Sequence, residues 1–378
     1  MVTRYTRPAV FSADASNQRA QLDVAVIGVG ANVFSMHAQA LRGAQPRLVG
    51  VCDINIEAAQ RVAEDFGCPA FADHQAMLAA TRPDVAIVLT PHPFHASLAI
   101  DCLNAGAHVL VEKPIADQVA EADRMIATAH SAGRLLAVNL QHRTRAEIRT
   151  AKRLITSGQL GEIQRVEMVA IWTRTARYYA MAGWRGTWRG EGGGVLMNQS
   201  PHSLDLVSYL AGQPSHVVAW NRTLYHAIET EDTSIAMLEW PNGALGTLFV
   251  STALAGEPER LEIAGTRGIV RLSRGGLEFF ALSEELRGFL ANSPEPFAKP
   301  ELERQDVLPE NGSGDHRAIY ANLIAAVCEG EPLVADGAEG RNSLELANAL
   351  TLSSHTGQAV GLPLDRAAYG SLLAALRK

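Results

Sequence analysis

The sequence VAVIGVGANV at residues 24–33 decides the fold of this chain of 378 residues. Its first four residues form a short apolar run, which is typical of a strand buried on both faces. A glycine turn and a helical pattern ending near Leu41 follow, and a second apolar run at residues 48–52 stops at Asp53. Strand, glycine turn, helix, strand and acid is the order of a dinucleotide-binding βαβ unit.

Each part of this unit has a physical role in binding a dinucleotide. Gly28 permits the tight turn, Gly30 has no Cβ that would block a pyrophosphate, and the N–H groups that open the next helix face the phosphates. Asp53 stands where a carboxylate accepts hydrogen bonds from ribose hydroxyls. Val33 replaces a third glycine that serves helix–strand packing, so we expect wider packing there and not loss of binding. The cofactor-binding residues predicted here are Gly28, Val29, Gly30, Asn32, Val33 and Asp53.

The residues after Asp53 bear on which dinucleotide is bound. Ile54 and Asn55 follow directly, and neither can neutralise a 2′-phosphate. The sequence therefore favours NAD over NADP as the cofactor.

Composition excludes several classes of function. The net charge of −7 and the pI near 6.0 argue against a nucleic-acid partner. No run of about 18 apolar residues occurs, so we expect no membrane span. Residues 1–20 are polar and predict a flexible N-terminal arm, not a signal peptide. The four cysteines share no ligand spacing, which favours reduced thiols and a cytoplasmic location.

The rest of the chain divides into two parts. Apolar strands alternate with helices up to residue 145, which predicts an α/β Rossmann domain over residues 21–145 with a doubly wound parallel sheet. From residue 146 to 378, strands with a period of two predict an α+β domain for substrate binding and oligomerisation, with an open, largely antiparallel sheet. Within it we expect a hairpin turn at 241–243, a surface loop at 283–314, and helices at 316–329 and 338–356. Because one sheet face is left free, we also expect a homodimer or homotetramer.

Four segments carry a resemblance to a known family. They are Glu112-Lys113-Pro114, Thr90-Pro91 with His95, the glycine-rich stretch at 192–202 followed by Asp205, and the tail segments 340–347 and 361–365. Together they resemble the glucose–fructose oxidoreductase / inositol dehydrogenase / MocA (Gfo/Idh/MocA) family, from about residue 22 to residue 370. The resemblance implies an oxidoreductase with a Rossmann domain and an open-sheet domain, acting on sugars or polyols.

Ligands of doubly wound sheets bind at the carboxyl ends of the strands, and several of these residues fall there. Lys113 would point toward the nicotinamide, where an ammonium can stabilise an alkoxide and pass a proton. A lysine paired with a neighbouring acid is the structural alternative, and the resemblance favours catalysis. The cofactor-binding residues predicted at these ends are Thr90, Pro91, His95, Glu112, Lys113 and Gln141.

His202 and Asn198 follow the three glycines. If Pro201 begins a helix, both residues can face the same cleft, and His202 can take a proton from an alcohol. Members of the resembled family commonly carry Asp at the position of Asn198. An amide cannot accept that proton, so Lys113 and His202 would carry the acid–base work. The predicted catalytic residues are thus Lys113, His202 and Asn198.

Aromatic residues and arginines before the glycines indicate a substrate platform, because flat rings cover sugar C–H faces and guanidinium groups bind hydroxyls or carboxylates. A solvated loop or subunit contact is the alternative. The predicted substrate-binding residues are Arg143, Tyr178, Trp184, Arg185, Asn198 and His202. His92 and His95 have no third ligand at a recognisable spacing, so we predict no metal site.

These features favour an NAD-dependent dehydrogenase or reductase acting on a secondary hydroxyl or ketone of a sugar, polyol or sugar derivative. One alternative is an NAD-dependent glycosidase that works by transient oxidation and elimination. Another is a non-catalytic NAD-sensing partner protein, in which Asn198 marks lost chemistry.

Overall fold

The computed structural model describes residues 21–30, 32–256 and 259–378, so the predicted arm at 1–20 lies outside the described residues. The first part of the chain alternates strands and helices as the apolar runs predict. Its elements are β1 Asp23–Ile27, α1 Phe34–Ala44, β2 Arg47–Cys52, α2 Ile56–Phe66, β3 Ala70–Phe71, α3 His74–Thr81, β4 Val85–Val88, α4 His95–Asn104, β5 His108–Val111, α5 Val119–Ala132 and β6 Leu136–Val138.

These strands form a parallel sheet in the order β3-β2-β1-β4-β5-β6. All its central strands are buried, because helices cover both faces of the sheet. The side chains of these strands are therefore apolar on both faces. Strand order reverses between β1 and β4, whose partners include Val26 and Ile87. The Rossmann fold is confirmed, and this reversal is where such sheets bind dinucleotides.

The second part of the chain forms a larger sheet. Its elements are α6 Ala146–Thr156, β7 Ile163–Ile171, α7 Ala176–Ala180, α8 Pro201–Ala211, β8 His216–Arg222, β9 Thr233–Glu239, β10 Leu245–Ser251, β11 Glu259–Gly265, β12 Gly268–Ser273, β13 Gly276–Leu282, α9 Leu286–Asn292, β14 Leu302–Gln305, α10 His316–Glu329, α11 Gly337–Thr356, β15 Val360–Gly361 and α12 Arg366–Leu376. The strand order is β14-β13-β12-β11-β7-β10-β9-β8-β15. The sheet is mixed, since β7 and β10 run parallel while their other neighbours are antiparallel.

One face of this sheet packs on α8 and α11, and the other is open. Along β9 the alternate residues Ala236 and Leu238 are buried, while Ile235 and Met237 are 46% and 58% exposed. Trp220 on β8 lies opposite Ile235 on this open face. The alternation and the predicted hairpin turn at 241–243 are confirmed.

Two predictions about the C-terminal third were wrong. The region 283–314 is not only a loop, because it contains α9 and the edge strand β14. Glu285 caps α9 by accepting from the Gly288 N–H. All four residues of β14 are exposed, so this strand has no buried face. The tail also holds a third helix, α12, which Asp365 caps. Among the described helices, none has the combined length and apolarity that crossing a bilayer requires.

The two parts share side chains across the predicted boundary at residue 145. Helix α10 packs against α1, and its residues Ile319, Tyr320 and Leu323 belong to the core that covers one face of the first sheet. Helix α11 contacts both α5 and β8. The boundary at 145 therefore separates two kinds of element along the chain. It does not separate two cores, because residues after it complete the core of the first sheet.

Candidate active site

The carboxyl ends of β1, β2 and β4 meet at the glycine turn. Gly28 has φ +93°, and a Cβ added there would lie 2.9 Å from Thr90 Cγ2, so the position requires glycine. Asp53 Oδ2 accepts from the Gly30 N–H at 2.7 Å, and its Oδ1 accepts from the Asn55 N–H at 2.9 Å. The acid thus stands beside the turn, where a ribose would lie.

The residues at this edge fit a dinucleotide. Helix α1 begins without a side-chain cap, so its first N–H groups are available to phosphate oxygens. Val29 is buried, Val33 half-buried and Asn32 exposed. Within the described residues, Thr90 Oγ1 and Gln141 Oε1 are buried without a hydrogen-bond partner, as expected for groups that a ligand satisfies.

Glu112 lies behind this edge in a closed hydrogen-bond network. Its Oε1 accepts from His37 Nε2 at 2.9 Å and from Asn139, and its Oε2 accepts from the Lys113 N–H at 3.1 Å. Burial alone would raise the pKa of Glu112, but these hydrogen bonds and the nearby charges lower it to about 2. The carboxylate therefore orients the strand end, and we no longer count it among direct cofactor ligands.

The same network contains a histidine pair that the sequence did not reveal. Ligand atoms of His37, Glu112 and His316 lie within 4.8 Å of one another. His37, however, uses both ring nitrogens, one toward Glu112 and one toward the Tyr320 hydroxyl at 2.9 Å. We interpret the group as a hydrogen-bond network that ties α10 to the first sheet.

His95 is fully buried between two loops of the site. Its Nδ1 lies 2.8 Å from the Pro114 carbonyl and its Nε2 lies 2.6 Å from the Thr90 carbonyl. Both neighbours are carbonyl oxygens, so the single N–H of the neutral ring donates to one of them, and His95 lies between the Thr90-Pro91 loop and the residues after β5. This role was not predicted, because Pro114 is distant in sequence.

Lys113 projects toward the second part of the chain. Its Nζ donates to the Asn198 main-chain carbonyl at 2.8 Å. In the described part of the chain its ammonium forms no salt bridge, although the charges of Glu112 and Glu191 act on it. Burial lowers the pKa of Lys113, and these two carboxylates oppose that shift. A lysine with a lowered pKa releases its proton at a lower pH than an exposed lysine does.

The glycines before Asn198 allow the chain to pass tightly over Glu231. The Gly194 and Leu196 N–H groups donate to Glu231 Oε1 at 2.9 and 3.0 Å. A Cβ at residue 194 would lie 1.9 Å from the Glu231 carbonyl oxygen, so no side chain fits. This turn sets the start of α8, where Pro201 is the first residue as predicted.

His202 lies in the first turn of α8 and is 8% exposed. Its ring stacks on His142, with centroids 4.0 Å apart. Burial, followed by the charges of His142 and Lys113, lowers the pKa of His202 well below its usual value, so the ring is neutral at pH 7. Its Nδ1 is buried without a partner among the described residues. Lys113 is thus near enough to His202 for its charge to act on the ring.

Asn198 is surrounded by residues of the predicted platform. The Tyr178 hydroxyl lies 3.3 Å from Asn198 Oδ1 and also contacts Arg185 Nη1 and Gln199 Nε2. The Arg185 guanidinium lies 4.3 Å from the Tyr178 ring centroid, so the ring presents its hydroxyl, and not this face, to the site. The Asn198 amide nitrogen contacts Glu191, which is not among the residues predicted from the sequence. The only signal for Glu191 is its place directly before the three glycines.

Trp184 and Arg143 were both predicted to bind substrate, and the structure gives them different surroundings. The Trp184 ring is half-buried, 6.3 Å from the ring of His92, and remains a candidate for substrate contact. Arg143 is 3% exposed and donates to Asp205 through Nε and Nη2 at 2.9 and 2.7 Å, and to Glu339 at 2.7 Å. Because its donors are used inside the protein, we no longer propose it as a substrate ligand.

Known proteins resemble this chain in sequence and in fold. The D-glucoside 3-dehydrogenase of Escherichia coli K12 is 29% identical over 364 residues, which cover 90% of this chain and 97% of that protein. The myo-inositol 2-dehydrogenase of Thermotoga maritima is 24% identical over 65% of this chain and 72% of its own. The structure of the WlbA dehydrogenase from Bordetella pertussis, in complex with NADH and UDP-GlcNAcA, matches with a TM-score of 0.78 and 30% identity, covering 91% of this chain and 100% of that one.

Two family models match consecutive segments of the chain. The model of the oxidoreductase family with an NAD-binding Rossmann fold matches residues 22–140, and the model of the GFO/IDH/MocA C-terminal domain matches residues 148–271. The Rossmann domain therefore binds NAD, and the chain is an oxidoreductase. The chain belongs to the Gfo/Idh/MocA family of NAD-binding oxidoreductases.

Proposed function

We propose that the protein transfers a hydride between NAD and one secondary hydroxyl or ketone of a pyranoside sugar, with Lys113 as the residue that exchanges the proton. The observation that carries this proposal is the ammonium of Lys113, held 2.8 Å from the Asn198 carbonyl where the NAD-binding edge meets the second sheet. There it can reach a substrate hydroxyl on the nicotinamide side of the cleft.

The bound nicotinamide supplies or accepts the hydride. Lys113, in its neutral form, accepts the hydroxyl proton during oxidation and returns it during reduction. His202 is neutral, so we propose that it hydrogen-bonds the reacting oxygen and leaves proton storage to Lys113. Trp184 would orient the sugar ring, while Tyr178 would hold Asn198 in place.

The D-glucoside 3-dehydrogenase supports a glucoside as the substrate, because it aligns over almost the full length of both chains. The unpartnered buried polar atoms near the cleft also suit a ligand rich in hydroxyl groups, since each atom needs a hydrogen bond. The carbon that we propose to be oxidised is C3 of a glucopyranoside, which is the position that this relative's name gives.

A substrate panel tests the proposal. The purified protein is incubated with NAD and methyl glucosides, myo-inositol or UDP-GlcNAcA, and reduced nicotinamide is followed by absorbance. We expect turnover with a methyl glucoside and a 3-keto product by NMR. Release of the aglycone from a nitrophenyl glucoside without net NADH would instead support a glycosidase, and tight NAD binding without any turnover would support a sensing protein.

Asp53 should determine which dinucleotide binds. We expect Asp53→Ala to weaken NAD binding by about 10-fold or more, because hydrogen bonds to a charged group are lost, and to narrow the preference over NADP. Dissociation constants for both dinucleotides are measured by quenching of protein fluorescence. Asp65→Ala removes an exposed carboxylate on α2 and should leave both constants unchanged. Equal weakening of NAD and NADP by Asp53→Ala would contradict the assignment.

We propose that the open sheet face joins two or four copies of this chain. Trp220, Ile235, Met237 and Leu245 are between 46% and 58% exposed on it, which is costly for apolar groups in water. We expect Met237→Glu to lower the molar mass measured by light scattering. Leu290→Glu, at a residue of α9 that is 71% exposed, is the matched control and should not change it. A monomeric parent protein would contradict the proposal.

A cytoplasmic location remains part of the proposal. Its support is the pair of free, buried thiols Cys52 on β2 and Cys102 on α4. Burial raises the pKa of Cys52 to about 11, which keeps it unreactive. Fractionation of cells that produce the protein tests the location.

A further inference from the structure

Glu191 is a buried carboxylate beside the proton-transfer group, and its exposure is only 1%. Its Oε2 accepts from the Gly186 N–H at 2.6 Å and its Oε1 accepts from the Asn198 side-chain amide. Its own main-chain carbonyl lies 3.0 Å from His92 Nδ1. Backbone and side chain are thus both fixed, and the acid is aimed at Asn198.

The direction of the Asn198 amide follows from its neighbours. Arg185 can only donate, so the Tyr178 oxygen accepts from it and also from Gln199 Nε2 at 3.0 Å. The single hydrogen of the Tyr178 hydroxyl then goes to Asn198 Oδ1, and the amide nitrogen must face Glu191. Both oxygens of Glu191 therefore face N–H donors. Burial raises the pKa of Glu191, while these hydrogen bonds and the charges of Arg185 and Lys113 oppose that rise and favour the ionised carboxylate.

The charge of Glu191 acts on Lys113. The ammonium of Lys113 is bound by the main-chain carbonyl of the same Asn198 whose side chain Glu191 holds. Glu191 is also one of two carboxylates that oppose the lowering of the Lys113 pKa by burial. One residue, Asn198, thus connects the acid to the lysine through its side chain and its backbone.

We propose that Glu191 is a positioning residue that supplies, through the Asn198 amide, the negative charge that the proton-transfer site needs. The family resemblance leads one to expect an acid at position 198. In this chain the acid is Glu191, seven residues earlier. A carboxylate at 198 would meet Glu191 at hydrogen-bonding distance, and two like charges in contact cannot both ionise. The amide at 198 is therefore the partner that Glu191 requires. This inference rests on the proposed role of Lys113.

A charge-exchange cycle tests the inference with Glu191→Gln, Asn198→Asp and the double variant. Each single variant should lower kcat about 10-fold or more. Glu191→Gln removes the negative charge, and Asn198→Asp places a second carboxylate in contact with Glu191. The double variant restores one acid and one amide, so we expect kcat within about three-fold of the parent. A sum of two independent losses in the double variant would overturn the proposal.

A second readout does not depend on any substrate. Cyanate carbamylates only neutral amines, so the pH dependence of Lys113 modification, measured by peptide mass spectrometry, reports its pKa. Glu191→Gln removes a negative charge near Lys113, so the midpoint should fall by about one pH unit, and the double variant should return it. An unmoved midpoint would refute the inference even if the protein oxidised glucosides, whereas a shifted midpoint without turnover would contradict only the proposed function.

Glu229→Gln is the matched control. Glu229 also accepts a main-chain N–H of this loop, from Trp188 at 3.1 Å, but it is exposed and does not touch Asn198. It should leave kcat and the Lys113 midpoint unchanged. If Glu191→Gln does not fold, Asn198→Asp and the double variant still decide the question, because only charge exchange predicts that the double variant is the more active of the two.

Discussion

Lys113→Met should lower kcat by about a thousand-fold while leaving the dissociation constant of NADH within a few-fold of the parent. The methionine keeps the side-chain volume but cannot accept the hydroxyl proton or bind the Asn198 carbonyl. Initial rates on the best glucoside of the panel and a fluorescence titration with NADH measure the two quantities. Lys113→Arg should not recover the rate, because a guanidinium does not release its proton in this pH range.

The proposed role of Lys113 also predicts how the rates of oxidation and reduction change with pH. Oxidation needs the neutral amine, so its rate should rise as pH passes upward through the Lys113 pKa, and ketone reduction should fall over the same range. Burial lowers that pKa, which places the rise below the pH where an exposed lysine titrates. Lys113→Met should abolish this dependence in both directions.

Lys152→Met is the matched control for this experiment. Lys152 is also half-buried and also donates to a main-chain carbonyl, that of Tyr209 at 2.6 Å, but it lies on α6 outside the cleft. Its loss should leave kcat and the pH profile unchanged. Full turnover by Lys113→Met would remove the basis of the proposed function.

Arg143→Met should cost about 3–5 kcal/mol of unfolding free energy, because it leaves the fully buried Asp205 without its partner. Asp205 is held by two charge-assisted hydrogen bonds from Arg143, at 2.9 and 2.7 Å. Urea denaturation followed by circular dichroism measures the loss. The double variant Arg143→Met/Asp205→Leu should recover part of it, since no buried charge remains.

The deficit of Arg143→Met should also depend on pH. Burial raises the pKa of Asp205, and Arg143 opposes that shift in the parent protein. Without Arg143 the pKa of Asp205 in the folded state rises further above its unfolded value, so stability is retained at low pH and lost as pH rises through the folded pKa. The difference from the parent should be largest near neutral pH. Arg124→Met, which removes a surface ion pair with Glu121, should change stability by no more than about 0.5 kcal/mol.

Local patterns were sufficient for the parts of the fold whose signal lies within one element. The apolar run before Gly28, the position of Asp53 and the alternation along β9 each depend on neighbours in sequence, and the Rossmann and open-sheet architectures follow from them. Strand β14 was missed because an exposed edge strand has no buried face to produce alternation.

The site was harder to predict where its partners are distant in sequence. Arg143 was proposed for substrate because it follows a strand end, yet its partners Asp205 and Glu339 belong to α8 and α11. His95 and Glu112 likewise have internal partners that only the tertiary structure brings together. Glu191 had no motif of its own, since its meaning depends on the amide that it contacts.

The packing of α10 on α1 has a consequence for how this protein is synthesised. Ile319, Tyr320 and Leu323 fill part of the hydrophobic interior of the NAD-binding half, so that interior stays incomplete until they have left the ribosome. A nascent chain of half length would expose an apolar groove along α1 and invite chaperone binding. The NAD-binding half can therefore complete its core only after most of the chain has been synthesised.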